Sequence, residues 1–354
     1  MTIWKKLFII LAGVVLALGV FALKTYRDAG EFKKINPHFS GPCEVVHGVQ
    51  SSEDITIDSR TGIAFISSDD RRPWYHGAFG NQGAIYSYSL TADTPRLINL
   101  TRNFKKEFHP HGISLYIDKA GKPYLFVVNH TSHGQFVEIF EYVGNRLVHK
   151  DSISGQLMFS PNDVLGVGRR QFYVTNDHGY RSRYGRMLED YLQLSRSYVL
   201  YFDGKNFRKA THELKYANGI NISPEGDTIY VASTTGKAIL IYKRDKSSGT
   251  LTWQRVIRLN TAPDNIEVDR QGRLWVGCHP KLLTFVKYSK DPSHLSPSQV
   301  LMISIRDNNV SKLQEVYLSN GDPISGSSVA AYFKGKLLIG SVFDPKFLLC
   351  SVTQ

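Results

Sequence analysis

Cysteine is scarce in this chain. Three residues, Cys43, Cys278 and Cys350, occur among 354, so at most one internal bond can form. Long helical periodicity is nearly absent as well, which excludes a helical bundle. Acidic residues are outnumbered, 31 against 43 basic, for a formal charge of +12. Such an excess raises nucleic acid as a partner. The Lys and Arg residues are scattered, however, and no basic helix or base-stacking motif accompanies them. Nucleic acid is therefore set aside. With 42% hydrophobic and 21% charged residues, disorder is excluded too.

Long apolar runs are limited to one. "LFIILAGVVLALGVFAL", residues 7–23, is flanked by Lys5 and Lys6 before and by Lys24 and Arg27 after. Its 17 residues stand at the lower limit for a spanning helix. Residues 1–24 are read as a signal anchor or signal peptide, the anchor being preferred and cleavage after Ala22 the alternative. Basic residues on both sides leave the orientation open. Either form sends the rest of the chain into the secretory pathway, anchored or secreted. There a Cys43–Cys350 bond would join the two ends of the globular part. Cys278 is then a buried, inert thiol. Asn99 and Asn309 carry glycosylation sequons in pattern. A third sequon, at Asn129, lies in an expected strand of the site and is read as unused.

What the chain has in quantity is one repeated scheme. A polar pair precedes Ile or Val; a short strand and turn follow; a more apolar strand comes next. The six copies are "SEDITIDSRTGIAFISSD", "PHGISLYIDKAGKPYLFVVNH", "PNDVLGVGRRQFYVTND", "ANGINISPEGDTIYVAST", "PDNIEVDRQGRLWVGCH" and "GSSVAAYFKGKLLIGSVF". The aligned Ile or Val is residue 55, 113, 164, 220, 266 and 329. Spacings of 46 to 63 residues accommodate four strands each, the size of a propeller blade. The expected fold is all-β. Residues 25–42 form a linker, and residues 43–354 form a six-bladed β-propeller with an N-terminal hydrophobic helix and a small helix over the active-site mouth.

In a propeller, equivalent positions of successive blades face one another across the central channel. The polar pairs are Glu53–Asp54, His111–Gly112, Asn162–Asp163, Asn218–Gly219, Asp264–Asn265 and Ser327–Ser328. They form a ring. Carboxylates crowded in a narrow channel repel, and burial adds to the cost. A cation removes both problems. Six to eight hard oxygen ligands, carboxylate and amide carbonyl, fit Ca²⁺, and four negative charges balance two ions. One depth would collect Glu53, Asn162, Asn218, Asp264 and Asn265; the other, Asp54 and Asp163 with backbone oxygens. Zinc at His109 and His111 lacks a third ligand. His111 and His130 reach the same mouth, where a hydrogen-bonded pair can act as general base on water. His109, His133, His178 and His279 are lining candidates, and Phe65, Phe79, Tyr184 and Phe343 are expected substrate contacts.

The motifs "SEDITI", "PHGIS", "VVNH", "PNDV", "ANGINISPEG", "DNIEVD", "LWVGCHP" and "FKGKLLIG" resemble, in order and from Cys43 to Cys350, the paraoxonases: calcium-dependent lactonases and arylesterases on a six-bladed propeller. The resemblance implies a catalytic calcium on Glu53, Asn162, Asn218, Asp264 and Asn265. It implies a structural calcium on Asp54, Asp163 and the carbonyl of Ile113. It also implies a His111–His130 dyad, Asp264 as a further catalytic group, the Cys43–Cys350 bridge, and a free Cys278. A small lipophilic lactone or ester is the implied substrate, hydrolysed with calcium polarising its carbonyl and the dyad activating water. A helix within residues 180–197, with Tyr184, Met187, Leu188 and Tyr191 at helical spacing and Arg181, Arg183, Arg186 and Arg196 around them, is expected to touch a lipid surface or to pack on the propeller. "DDRRPWYHGAFGNQG" (residues 69–83) has no counterpart among those motifs, which leaves substrate choice open. Two other readings stay open: a membrane-tethered assembly factor or binding scaffold with purely structural calcium, and a sugar-lactone hydrolase of the regucalcin type.

Overall fold

The computed structural model describes residues 2–78, 80–306 and 309–352. Six four-stranded antiparallel sheets surround a channel. Their innermost strands are Asp54–Asp58, Pro110–Ile117, Pro161–Gly166, Ala217–Ile222, Ala262–Val268 and Ser327–Phe333, in blades 1 to 6. Each opens at its polar pair. The second strands, such as Ile63–Ser68, Phe172–Asn176 and Leu274–His279, are almost wholly buried, as their unbroken apolar runs require. Apolar clusters fill the space between neighbouring sheets, Phe126, Val164 and Phe172 between blades 2 and 3 being one.

Blade 6 is completed by the first strand of the chain. Cys43–His47 pairs with Lys346–Ser351, in the order first, last, then inward. Cys43 faces Cys350 in that register, and the two form a disulfide. Cys278 is free and buried.

Among the described residues, three α-helices stand outside the sheets. α1, Ile3–Asp28, is 26 residues long with no buried residue. By length and composition it can cross a membrane. It runs past the apolar stretch to a Lys24–Asp28 ion pair of 2.6 Å. The chain then packs instead of hanging free: Ala29 is buried and its carbonyl accepts from Leu282 N at 2.9 Å. α2, Arg183–Leu192, follows the Phe172–Asn176 strand, and α3, Leu282–Lys290, follows Leu274–His279. A 3-10 turn, Arg72–His76, follows Ile63–Ser68. Asn176 and His279 are the ends that pair beside the ring, with Pro161 and Ala262. All three insertions therefore leave the same end of the channel. Glu31 caps α3 there, its carboxylate accepting from Leu283 N at 2.8 Å and Thr284 N at 3.1 Å.

Candidate active site and cation centre

The polar pairs meet in the channel, and a bulge explains how two successive residues do so. In blades 2 to 6 the inner strand shifts register at its pair, between Pro110 and Ile113, Pro161 and Val164, Ala217 and Ile220, Pro263 and Ile266, and Ser327 and Val329. An ordinary strand would send neighbours to opposite faces; a bulge re-aims one of them. Space is tight enough that two pairs end in glycine. A Cβ on Gly112 would stand 2.3 Å from Asp163 Oδ1, and one on Gly219 2.6 Å from Asn265 Cα.

The upper layer holds Glu53, Asn162, Asn218, Asp264 and Asn265, all buried. Asn218 Nδ2 donates to Asp264 Oδ1. Asn265 Nδ2 donates to Glu53 Oε1 at 3.0 Å, bridging blades 5 and 1. Ser328 Oγ donates to the carbonyl of Glu53 at 2.6 Å. Four buried oxygens have no hydrogen-bond partner among the described residues: Glu53 Oε2, Asn162 Oδ1, Asn218 Oδ1 and Asn265 Oδ1. Buried acceptors are rarely left so. Four from four blades, all oxygen and all at the ring's polar pairs, match the donor set of a hard cation. No three His, Cys, Asp or Glu side chains among the described residues form a metal-binding group by themselves; the set is a mixed one, with amides supplying three of its four free oxygens.

The lower layer is satisfied differently. Asp54 accepts from Ile55 N at 2.9 Å and from Ile113 N of the next blade at 2.7 Å. Asp163 repeats the arrangement with Val164 N and Ile220 N, both at 2.7 Å. Burial, then repulsion from Glu53, pushes the Asp54 carboxyl well above its usual range, and burial with repulsion from Asp54 does the same to Asp163. Glu267 lies below them, accepting from Asn221 Nδ2 at 3.1 Å and from Thr56 Oγ1 across the channel at 3.3 Å. Burial and Asp54 raise it too. The sequence reading omitted this carboxylate. Its signal was the residue after each aligned Ile, which is polar in four blades: Thr56, Ser114, Asn221 and Glu267.

His111 and His130 do pair, Nδ1 to Nε2, at 2.9 Å. His130 Nδ1 faces the oxygen of Gln135. That acceptor puts hydrogen on His130 Nδ1 and leaves Nε2 to accept from His111 Nδ1. His111 Nε2 is then free to receive a proton, 3.5 Å from Glu53 Oε1. Burial, aided by His111 and Arg71, depresses His130 well below the usual histidine value. Burial would raise Glu53, but His111 and Arg71 outweigh it and hold the carboxyl at about 2.

The lining differs from expectation at several points. Phe65 does not reach the mouth: it is fully buried against Ile85, Phe108 and Leu125, because the second strand turns it into the space between blades 1 and 2. Phe343 packs on Phe285 and Tyr288. Tyr184 is exposed on α2, and Phe79 lies outside the described residues. His279, read only as a lining candidate, binds Asp264 Oδ2 through Nε2 at 2.8 Å and stacks on Phe285 of α3, centroids 3.9 Å apart. His109 is held by Asp69 at 3.0 Å. Asn129 is fully buried, accepting from His109 N and donating to Glu107 O. Trp74, absent from the sequence reading, lies edge-on to His130 at 4.8 Å. α2 is moored to the mouth by His178, which bridges Asp177 at 2.7 Å and Asp190 at 3.2 Å.

The partnerless oxygens and the histidine pair stand together in the channel of a six-bladed propeller. The Arylesterase family model matches residues 31–352. Human serum paraoxonase/arylesterase 1 is 34% identical over 97% of this chain and 99% of its own length. Chicken serum paraoxonase/arylesterase 2 is 36% identical over 98% and 99%. The chain belongs to the arylesterase (paraoxonase) family and is an arylesterase/lactonase-type hydrolase. Among solved structures, a putative gluconolactonase is similar with TM-score 0.55 at 16% identity, covering 91% of this chain and 95% of its own. A calcium-binding protein, regucalcin, from Agrobacterium tumefaciens has TM-score 0.53 at 14% identity, over 89% and 96%. Both share the fold.

Proposed function

We propose that the protein hydrolyses lactones and aryl esters in a calcium-dependent reaction with His111 as general base. The four partnerless oxygens of the upper layer carry this reading. Glu53, Asn162, Asn218, Asp264 and Asn265 would hold one Ca²⁺. Asp54, Asp163 and the carbonyl of Ile113 would hold a second, on the grounds of charge: their carboxyls are buried and repel. When bound, the upper ion supplies a Lewis acid for the substrate carbonyl and for the charge that develops on its oxygen.

The side chains do the rest. His111 Nε2 takes a proton from the attacking water, whose oxygen bonds to the acyl carbon. The imidazolium so formed is stabilised through Nδ1–H by His130, which burial keeps neutral and ready to accept. Gln135 fixes the His130 tautomer. His279 orients Asp264 through its second oxygen. Trp74 limits water around the dyad. As the carbon–oxygen bond of the ester breaks, His111 returns the proton to the leaving oxygen.

The apolar α1 would anchor the hydrolase in the secretory pathway, where the Cys43–Cys350 bond is stable. Tyr184, Met187, Leu188, Tyr191 and Leu192 on α2 are 47 to 78% exposed and would meet a lipid surface. The test is an assay of aliphatic lactones and phenyl acetate by purified protein of measured calcium content, with and without chelator. Undiminished turnover after chelation would sink the mechanism. His111→Gln separates the enzyme from a scaffold: it must lose hydrolysis and keep its fold.

A further inference from the structure

The roof of the site holds a buried cation that the proposed reaction does not use. Arg71 is 5% exposed and caps the 3-10 turn, its carbonyl accepting from Trp74 N at 3.2 Å. Nη2 donates to the carbonyl of Pro110 at 2.8 Å, one residue before His111. The guanidinium lies over the Trp74 ring at 4.9 Å, and that ring leans on His130. Nε is buried without a hydrogen-bond partner. Among the described residues, Glu53 is the one carboxylate within ion-pairing distance of Arg71, at 3.9 Å.

A guanidinium cannot shed its proton, and an uncompensated buried charge is strongly destabilising. Glu53, at 3.9 Å, is also an expected calcium ligand. With its charge committed to the metal, Arg71 keeps a backbone carbonyl, an aromatic face and an unanswered N–H. Glu53 and Asp264 would balance one Ca²⁺, which leaves Arg71 without a carboxylate committed to it at ion-pairing distance. The missing partner is an anion that arrives with the substrate. Any molecule reaching His111 and Glu53 comes within a side-chain length of Arg71. Displacing the Trp74 ring from His130 uncovers the guanidinium face in the same movement, because the ring covers both.

We propose that Arg71 is a specificity residue that selects esters and lactones bearing a carboxylate on the acyl side. The inference rests on the hydrolase reading above and narrows its substrate class. Lysine would replace it only in part, since a compact ammonium lacks the planar fork that takes a carboxylate through two N–H groups.

The experiment uses full-length, calcium-loaded protein and two phenyl esters of similar shape, phenyl pentanoate and phenyl hydrogen succinate. In wild type the succinate is preferred. Arg71→Met raises its KM by about 10- to 100-fold, as expected for loss of a hydrogen-bonded charge partner, while KM for the pentanoate changes less than about threefold. Arg71→Lys recovers part of the loss and serves if the Met variant fails to fold. A second readout needs no turnover: succinate raises the melting temperature of wild type and not of Arg71→Met, and succinamide raises neither. Parallel losses on both esters, or no preference in an active wild type, overturn the specificity role and leave the hydrolase standing. A wild type inactive on both esters but stabilised by succinate through Arg71 overturns the hydrolase and keeps the anion site.

Discussion

The two layers of the channel contain similar groups and differ in who satisfies them. In the lower layer, Asp54 and Asp163 each accept a backbone N–H from their own blade and one from the next. They stitch blade 1 to blade 2 and blade 3 to blade 4. In the upper layer, four buried oxygens accept no hydrogen bond from the described residues. The lower carboxylates tie neighbouring blades together; the upper oxygens are left without hydrogen-bond partners among the described residues. The pair divides these duties because successive residues enter the same channel, through a bulge at Asn162–Asp163 and at the very start of the strand at Glu53–Asp54.

The sharpest break between the layers comes from the dyad above them. His111→Gln should lower kcat/KM for phenyl acetate by about 10²- to 10⁴-fold, the usual contribution of a positioned base, with an unchanged melting temperature. Next is a matched pair. Asp163→Ala strands Val164 N and Ile220 N, at a cost of about 1–3 kcal/mol for each group, and lowers the urea midpoint. Asn162→Ala, its sequence neighbour, should reduce activity and leave that midpoint close to wild type. If both variants lose stability equally, the division of labour is wrong. A smaller effect is expected from Gly219→Ala, whose new methyl meets the Asn265 backbone: about 1–3 kcal/mol from overpacking, read by the same titration.

The least effect concerns α2, outside the channel. Burial disfavours both charges of the Asp177–His178 pair, yet their mutual attraction holds the aspartate at about 2 and the histidine at about 10. The Asp177 contribution is complete above the ordinary carboxyl value and is lost as pH falls through about 2. The His178 contribution is complete below the ordinary histidine value and is lost as pH rises toward about 10. α2 is therefore held best between about pH 4 and 6.5. Protease cleavage within residues 183–192 should rise modestly from pH 6 to 9, and Asp177→Asn should flatten the profile.

The blades were legible because each repeats one pattern with its own turn, and the ring followed from the aligned Ile or Val. The bulges were not legible, since a polar pair looks the same whether or not both members face inward. Glu267 was hidden because it lies outside the polar pair that marks the repeat, although Thr56 and Asn221 share its offset. Phe65 was misplaced because an uninterrupted apolar strand does not announce which side faces a neighbouring blade. Trp74 and Arg71 belong to a segment without a counterpart in the other blades, so no repeat could assign them. The course of residues 29–33 was equally hidden: Glu31 finds its partners on α3, 252 and 253 residues away.

The bond between Cys43 and Cys350 sets an order of events in synthesis. The outer strand of blade 6 emerges early and must wait for the final residues before it has a sheet to join. Until then the growing chain is an open arc with an unpaired edge at each end. Glu53 and Asn265 lie on opposite sides of that gap, with blade 6 still to be inserted between them. The contact between Glu53 and Asn265 therefore belongs to the finished circle, and a truncated chain lacking the last strand would forfeit more than one blade.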